Sequence, residues 1–110
     1  MKGTNLGEFE ELVLLTVVVL QEEAYSIAIT DEINRITGRK VAFGVVHSAL
    51  DRLEKKGLAD SRMGASTRVR GGRRKRLFTI SAAGKAALLK ARDQRAALWK
   101  LVPETAFKNI

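Results

Sequence analysis

The sequence predicts an α+β, mostly helical fold: a winged helix-turn-helix followed by a C-terminal dimerisation helix. Three observations point there. Apolar residues recur at helical spacing in three successive segments before Gly57. Two short apolar strands then bracket a stretch rich in glycine and arginine. A last helical segment runs from Ala82 towards Pro103. A length of 110 residues suits one domain with an appended helix. The division expected is 1–81 for the winged domain and 82–110 for the dimerisation helix.

The first helix is read over Glu8 to Gln21, with Phe9, Leu12, Val13, Thr16, Val17 and Leu20 on one buried stripe. Leu14, Leu15, Val18 and Val19 fall on its other faces. A helix apolar all round needs neighbours on both sides, and a domain this small has core for one. A second subunit is the expected second neighbour. The next helix spans Ser26 to Thr37, with Ile27, Ile29, Ile33 and Ile36 apolar and Gly38 as its stop. A third begins near Phe43 and ends at Lys56-Gly57, where basic residues and a glycine suit a helix C-terminus. Leu58 to Met63 and Leu77 to Ile80 read as strands, and Gly64 to Arg76 as the hairpin loop between them. Ser81 can cap the last helix, which continues to about Val102 before Pro103 stops it. Along it Gly84, Ala91 and Leu98 form one seam, flanked by Leu88 and Val102.

Charge is divided sharply along the chain. Residues 1–60 hold seven Lys/Arg against ten Asp/Glu, whereas residues 61–110 hold thirteen against two. From Ser61 to Arg92 there are ten basic residues and no acidic one. A charge run is usually a solvated face, but one so free of acids favours a polyanionic partner. With no cysteine, disulfides and thiolate metal sites are excluded, in keeping with a reducing cytoplasm. No basic start or cleavage site marks a leader, and the apolar run Leu12 to Leu20 is short of the roughly 18 residues of a membrane span. Phosphate-binding loops, dinucleotide fingerprints and metal-ligand spacings are also absent, so no enzyme and no cofactor are expected.

The third helix is the expected reading head. Val46, Ala49, Leu50 and Leu53 point inward at i, i+3, i+4 and i+7. The opposite face offers Gly44, His47, Ser48, Asp51 and Arg52, with Lys55 a turn further on. Major-groove helices present their first turns to base edges, where short polar groups suit contact. Gly44 permits close backbone approach. Ser48 suits base or phosphate, and Ser48 or Arg52 is expected to discriminate bases. His47 has two readings, a DNA contact or a packing residue at the stripe's edge; a metal role is disfavoured for a lone histidine. In the hairpin, Arg68, Arg70, Arg73, Arg74 and Lys75 suit phosphates or a narrow minor groove, with Arg76 only half available at the start of a strand.

The segments Gly44 to Leu58 and Gly72 to Gly84 resemble the recognition helix and wing of the PadR family of bacterial repressors. The first carries leucine, a charged pair, leucine, charges and then glycine-leucine; the second carries basic residues, an aromatic strand, serine, two residues and glycine. With Leu12 to Leu20 and Tyr25 to Ile33, the likeness covers nearly the whole chain. The family often has tyrosine where His47 stands, and glycine where Ser26 follows Tyr25. The resemblance implies a repressor acting on double-stranded DNA as a homodimer through its C-terminal helix, and the chain is similar to short members with one such helix. In some of those a tryptophan at the interface lines a pocket for flat hydrophobic effectors. Trp99 is then either such a wall or, more commonly for tryptophan, an interface anchor. The expected partners are duplex DNA, a second copy and a small aromatic or hydrophobic effector, in a cytoplasmic, nucleoid-associated setting. A basic RNA-binding or ribosome-associated protein is the rival reading. Its expected exposed stacking aromatics are missing, since the few aromatics fall on core-like positions. A winged helix that docks proteins is a third, marked by weak salt dependence of DNA binding.

Overall fold

The computed structural model describes residues 5–66 and 74–108. In order, the elements are α1 (Glu8–Leu20), α2 (Ser26–Thr37), α3 (Phe43–Lys55), β1 (Ala59–Ser66), β2 (Arg74–Ile80) and α4 (Ala82–Leu101), with 3₁₀ turns at Gln21–Glu23 and Glu104–Phe107. The two strands pair antiparallel, Ala59 opposite Ile80 and Met63 opposite Arg76, with an irregularity between Met63 and Ser66. Both strands are longer than the apolar pattern predicts, because their outer ends are polar.

The core lies where three helices meet the base of this hairpin. Val13, Leu14 and Val17 of α1 pack with Ile29 and Ile33 of α2, with Val46, Ala49, Leu50 and Leu53 of α3, and with Leu58, Leu77 and Phe78. The inward stripe predicted for α3 is therefore the observed one. In α1, Leu14 belongs to this core, whereas Leu15, Val18 and Val19 are exposed. Of the four residues assigned to its outer faces, only Leu14 is covered by its own domain. Ile27 and Ile36 of α2 also face outward.

Caps fix the joints. Gly38 closes α2 in the left-handed region, at φ 75°, and Gly57 takes the same φ after α3. The Ser81 hydroxyl accepts the Gly84 N–H at 3.0 Å and donates to the Gly57 carbonyl at 2.7 Å. Phe78 N–H bonds the Ala24 carbonyl at 3.0 Å, stitching the hairpin to the chain before α2.

Gly84 departs from its expected place in an intermolecular seam. It is buried inside the domain, and a Cβ there would lie 2.1 Å from the Leu58 carbonyl oxygen and 2.8 Å from Ile80 Cγ1. Glycine is required so that α4 can start against the end of α3 and the foot of the sheet. Beyond that anchor, α4 is tied to α1 by Arg95 and Glu11, 2.8 Å apart, and every residue from Arg92 to Leu101 is exposed.

Candidate nucleic-acid interface

Helix α3 buries one face completely and offers the other to solvent. Gly44, Ser48 and Arg52 follow one another at i, i+4 and i+8 on the outer face, all exposed. A Cβ at Gly44 would meet nothing within 4 Å, so no neighbour within the fold requires glycine there. Phe43 and Val45 are half exposed beside them. Val45 was missing from the predicted face. Its signal is that it falls off the inward stripe that Val46 begins, and an exposed apolar group there suits a thymine methyl.

Of the two readings of His47, packing is the one that its contacts support. Its ring stacks on Phe43, with centroids 5.8 Å apart and planes at 21°. Nδ1 is buried and has no hydrogen-bond partner, while Nε2 stands 4.0 Å from Asp51 Oδ2. A buried nitrogen without an acceptor is better left unprotonated, which puts the proton of the neutral ring on Nε2. One edge packs, and the other faces Asp51.

The acidic first turn of α1 reaches α3 at one point and the segment before it at another. Glu10, buried, accepts hydrogen bonds from Gly7 N–H at 3.0 Å, Arg52 Nε at 3.0 Å and Lys56 Nζ at 2.7 Å. Burial pushes its carboxyl up, but the bonds from Lys56, Gly7 and Arg52 outweigh this and hold it below the ordinary 4.5. Glu8 pairs with Arg39, in the turn before α3, at 2.5 Å. Arg52 is thus not the unencumbered side chain that the helical pattern suggests, although half of it remains exposed.

On the hairpin, Arg76 is spent within the fold: it pairs with Glu54 and donates through Nε to Ser61 Oγ at 2.9 Å. Lys75 lies outward, its Nζ 5.2 Å from the centre of the Tyr25 ring, a cation–π contact that orients it. Arg74 opens β2, and Arg68, Arg70 and Arg73 lie outside the described residues. Among the described residues, no group of three His, Asp or Glu side chains could hold a metal ion, and no helix is long and apolar enough to cross a membrane.

At the far end, Trp99 is exposed on α4 and meets Phe107 of the following turn, with ring centroids 5.8 Å apart. It borders an open groove of about 700 Å³ between α1 and α4, whose apolar walls include Leu15, Val18, Leu88 and Leu89, with Lys85 and Arg92 at its rim.

Three helices, a basic antiparallel hairpin and an outward-facing third helix define a winged helix-turn-helix protein of the DNA-binding kind. The chain belongs to the PadR-like family of transcriptional regulators, whose family model matches residues 14–90. Among solved structures it is similar to a PadR-like transcriptional regulator from Bacillus cereus, at 20% identity and TM-score 0.68 over 84% of this chain and 85% of that one. A PadR family regulator from Eggerthella lenta is 22% identical, with TM-score 0.68 over 93% and 88%. The ORC1 protein of Aeropyrum pernix, solved in complex with DNA, is 22% identical over 88% of this chain but only 26% of its own length, at TM-score 0.66. At these identities the likeness is one of fold. No curated protein matches the chain.

Proposed function

We propose that the chain acts as a homodimer that binds a near-palindromic operator and represses transcription there. The observation that carries this reading is the bareness of α4. From Arg92 to Leu101 every residue is exposed, Leu98, Trp99 and Leu101 among them, and α1 turns Leu15, Val18 and Val19 outward as well. Half a helix held this loosely is marginal in water by itself. A second copy related by a two-fold axis would cover both surfaces. The radius of gyration, 16.5 Å, exceeds the roughly 13 Å of a compact domain of this length, as a protruding element requires.

In this reading residues 1–81 read DNA and residues 82–110 dimerise. Gly44, Val45 and Ser48 meet base edges, His47 and Asp51 border them, and Arg52 reaches base or phosphate. Arg68, Arg70, Arg73, Arg74 and Lys75 supply phosphate contacts and most of the sequence-independent affinity. Repression follows the family resemblance: a dimer seated on a promoter obstructs transcription without needing another surface. Selection from random duplex DNA should return two inverted half-sites with centres roughly 34–36 Å apart. Recovery of a single asymmetric site, or no enrichment, would refute the dimeric operator.

A planar apolar effector is the natural occupant of the groove beside Trp99. Its binding should quench Trp99 fluorescence and loosen DNA together. Quenching with DNA affinity unchanged would reduce Trp99 to an anchor.

A further inference from the structure

We infer that Glu10 is a positioning residue for sequence discrimination: it holds Arg52 by Nε and so aims the outer edge of the guanidinium at DNA. The inference rests on the reading of α3 as the DNA-reading helix. Glu10 lies 42 residues from Arg52 in the chain, on a different helix, and its side chain is only 7% exposed. A carboxylate so buried keeps its place only where donors satisfy it, and three do: Gly7 N–H and Lys56 Nζ on Oε1, Arg52 Nε on Oε2. Lys56 is held further by the Asn5 carbonyl at 2.8 Å. The anion therefore cannot swing away with Arg52, because Gly7 at the start of α1 and Lys56 at the end of α3 both hold it.

Arg52 is bound differently. Its contact with Glu10 uses Nε alone, and its side chain is 52% exposed. Among the described residues no partner takes its Nη groups. A guanidinium carries five N–H bonds in a rigid plane, so fixing Nε fixes the direction of the other four. Those four form the fork that pairs with the two acceptors of a guanine or a phosphate. Arg52 continues the exposed line through Gly44 and Ser48, about 12 Å along the helix from Gly44 at 1.5 Å per residue. Glu10 also offsets one of the two positive charges beside it. Without that offset Arg52 and Lys56 would be attracted to any phosphate within reach, which raises affinity for all sequences alike.

The test is a cycle of Glu10→Gln, Arg52→Ala and the double variant, measured on the selected operator and on a scrambled duplex of equal length over a range of salt. Glu10→Gln should lower the ratio of operator to scrambled affinity by about 5- to 150-fold. Scrambled affinity should hold or rise, and the salt slope should steepen by up to about 0.9 for each phosphate gained. Arg52→Ala should lower the ratio similarly, and the double variant no further. Equal losses on both duplexes, or losses that add in the double variant, would overturn the inference. If Glu10→Gln does not fold, Arg52→Lys decides: lysine can still pair with Glu10 but has no fork, so full discrimination in that variant is contradictory. A wild-type protein without preference for any duplex would refute the DNA reading itself, whereas a selective wild type with an additive cycle refutes only the role of Glu10.

Discussion

The carboxylate of Glu10 is a buried anion facing two cations, so its contribution to stability depends on pH in a definite direction. Its folded pKa is lowered by Lys56, Gly7 and Arg52 against the opposing effect of burial. A carboxyl whose pKa is depressed by folding stabilises fully above its unfolded value, near 4.5, and loses that contribution as pH falls through the folded value. Glu10→Gln should therefore cost about 1.5–3 kcal/mol at neutral pH, the range for hydrogen bonds to charged groups. The gap between the two proteins should close as urea unfolding is repeated at progressively lower pH below 4.5. A gap of constant size down to pH 3 would mean that packing, and not charge, is what the variant loses. Little of this was legible in the sequence. Glu10 reads there as one of three acids in a helical first turn, and nothing local marks partners 42 and 46 positions away. His47 was half legible: its place at the edge of the inward stripe announces divided packing, but the stack on Phe43 and the buried Nδ1 depend on rotamers.

Elements were more legible than contacts, because their ends carry local chemistry. The second helix is bounded as read, Ser26 to Thr37, since Gly38 closes it in the left-handed region. Ser81 caps the last helix as expected, through the Gly84 N–H. Strand lengths were less visible, since Gly64 to Ser66 and Arg74 to Arg76 show no alternation of apolar and polar residues. The role of Gly84 was misread for a related reason: spacing by seven places it in a seam, and only the close approach of the Leu58 carbonyl reveals what the missing side chain is for. Gly84→Ala follows as a test. Alanine favours helix, yet here its methyl would strike a backbone oxygen that cannot move independently. Overpacking of this kind costs about 1–3 kcal/mol, so thermal unfolding should shift down while Ala83→Gly, at an exposed position, costs only the helix propensity of alanine. An unchanged or raised melting temperature for Gly84→Ala would show that α4 does not seat against the hairpin as described.

Across the molecule, two apolar surfaces stand exposed: the outer face of α1 and the far half of α4. Val18, Leu98, Trp99 and Leu101 are exposed together with the turn that brings Phe107 onto Trp99. The sequence pattern already indicates both, through an all-round apolar first helix and an apolar end to the last. Which faces meet was not legible, since Arg92, Gln94 and Arg95 interrupt the seam. In the proposed dimer one copy completes the other, and the pair, not the single chain, is the unit that binds DNA. Sedimentation equilibrium with and without the selected duplex tests it most directly. The free protein should have twice the 12.1 kDa of one chain, the complex should hold two chains per duplex, and removal of residues 98–110 should leave a monomer with much weaker operator binding. A full-length chain that stays monomeric at micromolar concentration and binds the operator as one chain per duplex would contradict the account.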